Sequence, residues 1–385
     1  MPSLLVDRVG HLVTWGDPPT QDRAAVVVED GVVVWTGPST SAPEADERLD
    51  AEWRCVVPGF VDAHTHLVFG GDRAGEFEAR LAGAPYTAGG IRSTVAATRA
   101  TSRAQLLRRA RALAGEALRS GTTTIEVKSG YGLDVATERK LLAVAAALPT
   151  PHRTFLGAHV VPAEWESDRD GYVDLVCGEM LEEALLLATG IDAFCETGAF
   201  DVDECREVLQ AGADRGLDVH VHANQLGPGG GAQLAASLGA ASADHCTHLS
   251  DADITALHDA GVVAVLVPAA EFSTRSPYAE ARRLLDAGVA VALASDCNPG
   301  TSYTTSLPFV VALACQELDM TPREALRAVT LGGAAALRRE DVGHLRLGAR
   351  GDLVVLNATS PVHLAYRPGV DIVHSVVQAG EVVRS

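Results

Sequence analysis

The sequence predicts an α/β fold: a (β/α)₈ TIM barrel accompanied by a small β-sandwich-like domain built from both termini. Two observations support this prediction. Between Val56 and about Leu318, short apolar β-branched runs alternate with Ala/Leu/Arg-rich helical stretches, a pattern typical of βαβ units joined by right-handed crossovers. A barrel of this type takes about 250 residues, so a chain of 385 residues leaves room for a second unit.

Eight candidate strands end in polar or special residues, at the rim where barrel enzymes place their chemistry. They cover residues 56–66, 122–128, 154–160, 191–196, 218–223, 243–248, 262–268 and 291–296. Segments 102–120 and 138–148 show apolar residues at i, i+3 and i+4, as expected of helices packed on a barrel. An open doubly wound sheet is the alternative, but the first strand–helix turn has no G-x-G-x-x-G motif.

The two ends of the chain are predicted to pair into one composite β domain. The first 55 residues contain AVVVEDGVVVWTG, and the last 46 contain GDLVVLN and HSVVQAGEVV. Such alternating runs with glycine turns are typical of β-hairpins. The predicted domains are therefore a composite β domain from 1–55 and 340–385, and a metal-dependent barrel from 56–339.

Composition excludes several classes of partner. The chain has 31 Lys plus Arg against 50 Asp plus Glu, a formal net charge of -19, so it lacks the basic face that nucleic acid requires. The seven cysteines contain no C-x-x-C pair, which argues against a disulfide framework or a zinc ribbon. No apolar run approaches the roughly 18 residues that cross a bilayer, and no signal-peptide pattern opens the chain. We expect a cytoplasmic protein without a membrane partner.

A metal site is predicted at the carboxyl-terminal rim of the barrel. His64 and His66 lie two apart at the end of the first candidate strand, so their side chains point the same way. His222 ends the fifth strand and Asp296 the eighth, and the barrel rim brings these positions together. Three imidazoles and a carboxylate suit one zinc or iron ion per subunit. Asp296 could instead cap the following helix.

Two further histidines have less certain roles. His220 lies two residues before His222, and we interpret it as a residue that orients a ligand or is satisfied within the core. His245, on the sixth strand, is predicted to be the general base that manages the proton of a metal-activated water, with Asp296 as a second partner. A fifth ligand and a structural histidine are the alternatives for His245.

Seven longer motifs accompany these residues in order along the chain. They are VPGFVDAHTHLVFGGDRAGEFEARLAGAPY, EVKSGYGL, FLGAHVVP, DAFCETGAF, HVHANQLGPGGGAQLA, SADHCTHL and SDCNPGTSY. Together they resemble the imidazolonepropionase family, the amidohydrolases of histidine degradation; GGDRAGEF and KSGYGL separate it from deaminases and dihydropyrimidinases. The resemblance implies hydrolysis of the cyclic amide C–N bond of 4-imidazolone-5-propanoate by water, giving N-formimidoyl-L-glutamate. A homodimer would be usual for such a barrel.

The resemblance also implies the site residues. The family's metal ligands fall on His64, His66, His222 and Asp296, and its general base falls on His245. Its substrate contacts fall on Arg73, Tyr86, Tyr131, His159, Asn298, Gly300 and Thr301. Binuclear relatives carry a carboxylated lysine after strand four, where this chain has IDAFCETGAF, so a single ion is favoured.

The chemistry of these side chains agrees with the implied roles. Arg73 offers a planar fork for the propionate carboxylate, although an arginine here could also be a surface residue. Tyr86 and Tyr131 can donate hydroxyls, and Tyr131 could alternatively belong only to a glycine-rich turn. His159 can hydrogen-bond the carbonyl oxygen or the developing oxyanion, or be a core histidine. Residues 298–301 could bind the ring, although N-P-G is also a good turn.

One position departs from the family pattern. Many members carry a glutamate three residues after the strand-five histidine, whereas this chain has Gln225. Glutamine cannot shuttle protons, so we interpret Gln225 as a substrate-binding residue. Another amidohydrolase activity, such as heterocycle deamination, and a scaffold that has lost catalysis are the competing functions. A deaminase would release ammonia without opening the ring, and a scaffold would lack ligands that are all present here.

Overall fold

The fold is described from a computed structural model that covers residues 2–83 and 90–384. Its strands are β1 (Leu4–Val13), β2 (Thr20–Glu29), β3 (Val32–Pro38), β4 (Glu47–Asp50), β5 (Cys55–Pro58), β6 (Phe60–Asp62), β7 (Thr122–Lys128), β8 (His152–Ala158), β9 (Gly190–Cys195), β10 (Asp218–Ala223), β11 (Ser242–His245), β12 (Val263–Leu266), β13 (Val291–Leu293), β14 (Leu353–Leu356), β15 (Val373–Gln378) and β16 (Glu381–Arg384).

The α-helices fill most of the intervals between the barrel strands. They are α1 (Ala74–Leu81), α2 (Ile91–Ala100), α3 (Arg103–Arg119), α4 (Val135–Ala145), α5 (Arg169–Leu175), α6 (Leu181–Ala184), α7 (Val202–Ala213), α8 (Gly231–Leu238), α9 (Asp251–Ala260), α10 (Pro268–Thr274), α11 (Ala281–Asp286), α12 (Leu307–Glu317), α13 (Pro322–Arg327), α14 (Gly333–Ala336) and α15 (His363–Tyr366). None of the described helices is long and apolar enough to cross a bilayer.

Strands β6 to β13 lie side by side in sequential order and run parallel, which confirms the predicted (β/α)₈ barrel. The ring closes between the segments that follow β6 and β13. Asp296 N donates to His64 O (3.0 Å), and His66 N donates to Cys297 O (3.0 Å). The closing seam of the barrel therefore contains three of the four predicted metal ligands.

The first candidate strand, residues 56–66, is not one strand. Its beginning forms β5 of the terminal sheet, and only its middle forms β6 of the barrel. Pro58 has no N–H to continue a ladder. At Gly59, a Cβ atom would lie 2.2 Å from Thr123 Oγ1. The chain passes from the terminal sheet to the barrel at this Pro-Gly pair. The sequence does not reveal this change, because the residues on both sides of the pair are apolar.

Helix α3 lies within one residue of the predicted bounds 102–120 at each end, and a capping box between Ser102 and Gln105 marks its start. Helix α4 begins earlier than the predicted residue 138. The Asp134 side chain accepts a hydrogen bond from Thr137 N (2.7 Å) and caps the helix at that point. A cap signal was therefore missed in the prediction.

Both ends of the chain build the second sheet. Its strand order is β16-β15-β14-β5-β1-β2-β3, and β4 pairs in parallel with the beginning of β1. The sheet folds back on itself: Val33 N donates to Ala349 O (2.8 Å), and apolar residues from both ends of the chain share one buried cluster, which agrees with the predicted sandwich-like domain. Gln378 Nε2 donates to Thr123 O (2.7 Å), and Arg350 Nη2 donates to Thr124 Oγ1 (2.7 Å). These bonds fasten the terminal sheet to barrel strand β7.

Candidate active site

The predicted site residues lie where the chain bends sharply at the ends of barrel strands. His245, at the end of β11, has a φ of 73°, and Asp296, after β13, has a φ of 49°. Asn224, after β10, has a φ of 54°. Residues with side chains seldom adopt this left-handed region, but Arg8 in β1 and Arg23 in β2 adopt it too, so the φ values describe the path of the chain and do not by themselves mark a site. The bends bring side chains from separate strands together at one rim.

Three side-chain atoms at this rim are spaced like corners of a tetrahedral metal site. His64 Nε2 lies 3.2 Å from His66 Nε2. Asp296 Oδ1 lies 3.5 Å from His64 Nε2 and 3.6 Å from His66 Nε2. Metal–ligand bonds of about 2.1 Å in a tetrahedron place neighbouring ligand atoms about 3.4 Å apart. The observed spacings match that edge, so the donor set fits a divalent metal ion.

Two more histidines border the same space. Ring nitrogens of His222 and His245 lie within 4.8 Å of each other and of a ring nitrogen of His64. His222 Nδ1 faces Asp192 Oδ2 at 2.9 Å, which leaves Nε2 of His222 free for an ion. His245 Nδ1 has no hydrogen-bond partner among the described residues. By distance alone, His245 fits the role of a ligand as well as that of a base.

Buried polar side chains hold His64 from behind. Asp244 Oδ2 lies 2.6 Å from His64 Nδ1. With the carboxylate as acceptor, Nδ1 carries the proton and Nε2 keeps its lone pair for a metal. Ser242 Oγ donates to Asp244 Oδ1 (2.5 Å) and accepts from His220 Nδ1 (2.8 Å). His220 is thus linked to His64 through Ser242 and Asp244.

The loop after β13 holds Asp296. Thr301 Oγ1 donates to Asp296 Oδ2 (3.1 Å), so Oδ1 is left to face the histidines. Asn298 Oδ1 accepts from Gly300 N (2.7 Å) and Thr301 N (2.8 Å), and Asn298 Nδ2 donates to Asp296 O (2.7 Å). Burial raises the pKa of Asp296 to about 7, and a bound cation would favour its ionised form. Asn298 and Thr301 line the cavity, but much of their hydrogen-bonding capacity supports Asp296.

Arg73 is buried beside the cavity at the start of α1. Its Nε lies 2.7 Å from Glu76 Oε2, and its Nη2 contacts Glu76 Oε1. One edge of the guanidinium is therefore occupied by a bidentate ion pair. On another side, a Cβ atom at Gly300 would lie 2.1 Å from Arg73 Nη1, so only glycine permits this approach. Arg73 is an oriented residue of the site and not a surface arginine.

The SGYGL segment forms another wall of the cavity. The buried ring of Tyr131 has its centroid 5.8 Å from that of His66 and 5.3 Å from that of His159. His159 Nδ1 donates to Gly130 O (2.8 Å), and burial lowers the pKa of His159 to about 4. In this neutral form the ring keeps its lone pair on Nε2, which can accept a hydrogen bond. The other predicted tyrosine, Tyr86, lies outside the described residues.

Gln225 borders two cavities. It lines the cavity at the histidine cluster and also a larger one of about 850 Å³, which is bordered by Arg92, Arg169 and His248. The loop that carries Gln225 is held by Glu196, whose Oε2 accepts from Gln225 N at 2.8 Å. The position of Gln225 agrees with a role in substrate binding.

Several acidic residues of the site were missed in the sequence. Asp192 and Asp244 back the histidines, and Glu196 holds the Gln225 loop. Glu138 fixes the SGYGL segment, because its carboxylate accepts from Gly130 N (2.9 Å) and from two further main-chain N–H groups. The available signal was charge within strand and helix segments that are otherwise predicted to be buried, since buried carboxylates require partners.

Comparison with known proteins assigns the family. The Amidohydrolase family profile matches residues 55–383. The imidazolonepropionase of Salinispora arenicola is 60% identical over 387 residues, covering 99% of this chain and 98% of that protein. The imidazolonepropionase of Mycolicibacterium smegmatis is 58% identical over 391 residues, covering 100% and 98%. The chain belongs to the imidazolonepropionase family of amidohydrolases. It is therefore a hydrolase that acts on carbon–nitrogen bonds.

Solved structures of other amidohydrolases share the fold. A zinc complex of atrazine chlorohydrolase from Arthrobacter aurescens superimposes with a TM-score of 0.74 at 18% identity, covering 99% of this chain and 95% of that one. An adenosine deaminase from Xanthomonas campestris with bound zinc gives a TM-score of 0.72 at 22% identity, covering 99% and 92%. At these identities the likeness shows the barrel architecture alone. The reaction that this chain catalyses has to be inferred from its site residues and not from the shared fold.

We expect His222→Ala to reduce the zinc content of the purified protein from about one ion per chain to well below one. The substitution removes one of the four ligands predicted from the sequence, whereas the exposed His258 lies on α9, so His258→Ala is the matched control. Elemental analysis after dialysis against zinc measures both variants. A full zinc complement in His222→Ala would remove that residue from the ligand set.

Proposed function

We propose that this chain hydrolyses the cyclic amide C–N bond of 4-imidazolone-5-propanoate, with water as the second reactant and N-formimidoyl-L-glutamate as the product. The observation that supports this proposal is the position of a buried guanidinium, Arg73, beside a tetrahedral set of histidine and aspartate donors. A small ring with a carboxylate tail can place its amide at the donors and its carboxylate near Arg73. The 53–60% identity to imidazolonepropionases adds support.

We propose that His64, His66, His222 and Asp296 hold one zinc or iron ion per subunit. The spacing of the first two and Asp296 supports this assignment, and imidazole with carboxylate suits either metal. When bound, the ion supplies the positive charge that acidifies water and polarises the amide carbonyl. Asp244 and Asp192 keep the histidine lone pairs directed at the ion.

We propose that His245 is the general base and Asp296 its partner. His245 lines the cavity next to Asp296, where it can accept the proton that the attacking water gives up. The oxygen of that water forms a bond to the amide carbon, and the ring C–N bond then breaks. The departing ring nitrogen takes a proton from His245, so the base is regenerated within one turnover.

The remaining residues bind and orient the substrate in this proposal. Arg73, together with Tyr86 and Tyr131, receives the propionate carboxylate. His159 Nε2 accepts a hydrogen bond from a ring N–H, in place of the oxyanion contact expected from the sequence. Gln225 can donate and accept at the ring without moving protons. Asn298, Gly300 and Thr301 shape the opposite wall while they position Asp296 and Arg73.

The direct test is an assay with 4-imidazolone-5-propanoate and the metal-loaded protein, followed by mass spectrometry of the product. We expect the mass of one water to be added, no ammonia to be released, and N-formimidoyl-L-glutamate to accumulate. Ammonia release with an intact ring would instead identify a deaminase. An inactive protein with a full metal complement would contradict the proposed substrate.

We expect His245→Ala to lower kcat by about 100-fold or more with little change in KM, because general acid–base groups contribute about 10²–10⁴-fold. The same variant keeps its metal if His245 is a base and loses it if His245 is a ligand. Steady-state kinetics and elemental analysis of one preparation separate these roles. Wild-type turnover in His245→Ala would exclude both the base role and the ligand role. His258→Ala serves as the control.

We expect Arg73→Ala to raise KM by about tenfold or more, because a charge-assisted hydrogen bond contributes about 1.5–3 kcal/mol. Arg103, which is exposed on α3, supplies the control substitution Arg103→Ala. The effect of Arg73→Ala should be absent for an analogue whose carboxylate is replaced by an amide. An unchanged KM for the natural substrate would remove Arg73 from the carboxylate site.

We also propose that two copies of the chain form a homodimer through a groove of about 990 Å³ beside α1 and α10. Phe272 and Tyr303 in this groove are each 55% exposed, and Phe77 and Leu81 are exposed next to them; monomeric proteins seldom expose such apolar faces. Arg275 and Asp72 also line the groove, so a two-fold contact can pair opposite charges.

We expect light scattering after size exclusion to give twice the chain mass of 40.1 kDa. Phe272→Glu should yield monomers, because a charge would be buried in the contact. Leu186→Glu is the control, since Leu186 is also exposed but lies outside the groove. A monomeric wild-type protein would contradict the dimer.

The cellular location and the domain limits are likewise proposals. We propose a cytoplasmic enzyme, supported by seven cysteines that are all free thiols, as is usual in a reducing compartment. We propose domain limits at 1–55 with 340–385 and at 56–339, supported by the strands that each end contributes to the terminal sheet. Because β5 reaches Pro58, the junction itself is the short Pro58-Gly59 connection.

A further inference from the structure

A fully buried lysine lies directly beneath the metal site. Lys128 is the last residue of β7 and has no exposed side-chain surface. Its Nζ lies 2.9 Å from Asp192 Oδ2, 3.1 Å from Glu126 Oε1 and 3.4 Å from Asp244 Oδ2. Burying an ammonium group is costly unless it is paired, so its presence here requires an explanation. Neither the ligand set nor the substrate contacts of the proposed function use Lys128.

Each carboxylate that contacts Lys128 also contacts the histidine framework. Asp192 Oδ2 faces His222 Nδ1 at 2.9 Å, and Asp244 Oδ2 faces His64 Nδ1 at 2.6 Å. The oxygen that faces the lysine is in both cases the same oxygen that faces the histidine. A single ammonium therefore ties together the anionic partners of two proposed ligands that come from different strands.

The third carboxylate acts on the backbone between His64 and His66. Glu126 Oε2 accepts from Thr65 N (3.2 Å), and Thr65 Oγ1 donates to Glu126 O (2.6 Å). Lys128 N also donates to Thr65 O (2.8 Å). Lys128 and Glu126 thus hold the extended segment that carries the H-x-H pair.

The charges around Lys128 also connect it with the proposed metal site. Burial disfavours the ammonium form, but Asp192, Glu126 and Asp244 outweigh it and raise the pKa of Lys128. Ligand atoms of Asp192, His222 and Asp244 lie within 4.8 Å of one another, a grouping that would itself attract a cation. The Lys128 ammonium provides that positive charge, so the divalent ion would bind to the histidine and Asp296 donors instead.

We propose that Lys128 is a positioning residue of the metal site, whose ammonium holds Asp192, Asp244 and Glu126 so that these carboxylates direct His222, His64 and the H-x-H segment at the ion. This inference rests on the ligand assignment proposed above. Lys128 touches neither substrate nor ion, and it acts through the carboxylates alone. Residues of this kind typically change metal affinity or activity by about 10–100-fold when they are replaced.

The test compares Lys128→Met with Lys140→Met in the full chain. Methionine keeps the length of the buried side chain and removes its charge. Lys140 is the other lysine of the chain and contacts main-chain carbonyl groups of Thr98, Arg99 and Thr101, away from the site. Zinc affinity by chelator competition and the visible spectrum of the cobalt-loaded protein are the two readouts.

We expect Lys128→Met to weaken zinc binding by about tenfold or more and to change the cobalt spectrum, while Lys140→Met matches the wild type in both. A zinc affinity that is unchanged or tighter would overturn the proposal. A wild-type cobalt spectrum would also overturn it, because a residue that only stabilises the fold would leave the coordination geometry intact.

A charge-matched variant separates positioning from charge compensation. Glu126→Gln with Lys128→Met removes one carboxyl group together with the ammonium, so the net charge of the cluster is unchanged. The proposal expects this double variant to bind zinc as weakly as Lys128→Met, because Asp192 and Asp244 still lack a cation. Wild-type affinity in the double variant would mean that Lys128 only neutralises Glu126, and would overturn the proposal.

If neither Lys128 variant folds, the variant to measure is Asp192→Asn. The proposal expects this variant to bind zinc more weakly and to shift the cobalt spectrum. Unchanged zinc affinity and an unchanged spectrum would overturn the proposal. If His222→Ala retains zinc, the ligand assignment fails and this inference fails with it. If His222→Ala loses zinc while Lys128→Met does not, the inference alone fails and the proposed function stands.

Discussion

Closure of the barrel between β6 and β13 is the constraint on which the site depends. The two main-chain bonds of this seam run between the residues that carry the H-x-H pair and those around Asp296. Asp296 Oδ1 is thereby brought within 3.5–3.6 Å of the Nε2 atoms of His64 and His66, more than 200 positions away in sequence. Ring closure therefore brings together three of the four proposed ligands. Substitutions that loosen the seam act on the site as directly as substitutions of a ligand.

Much of the barrel and the main donors could be predicted because their signals are local. β-Branched runs mark the strands, and the rule that barrel chemistry lies at the carboxyl-terminal ends of strands selects the proposed ligands His64, His66, His222 and Asp296 and the proposed base His245. The change of sheets at Pro58-Gly59 could not be predicted in this way, because β5 and β6 form one apolar run. The early start of α4 depended on a single cap at Asp134.

The supporting residues were harder to predict for a different physical reason. Asp192, Asp244 and Lys128 have meaning only as partners, and their partners come from other strands. The role of Asn298 could not be predicted either, because the N-P-G sequence is equally typical of a turn and of a loop that contacts substrate. His159 required knowledge of one hydrogen bond, to Gly130 O, before its free nitrogen could be identified as an acceptor. Sequence indicates which groups reach the rim, and three-dimensional contacts determine what each group can do there.

The terminal sheet has a consequence for the order in which the molecule can be made. Strand β5 pairs with β1 on one side and with β14 on the other, so the middle of the sheet joins residues near both ends of the chain. During synthesis one edge of β5 stays unpaired until β14, which lies in the last few dozen residues, has left the ribosome. Such late, long-range pairing is slow and exposed to aggregation. Production of this enzyme should therefore be sensitive to truncation or stalling near its C-terminus, far from any residue that performs its chemistry.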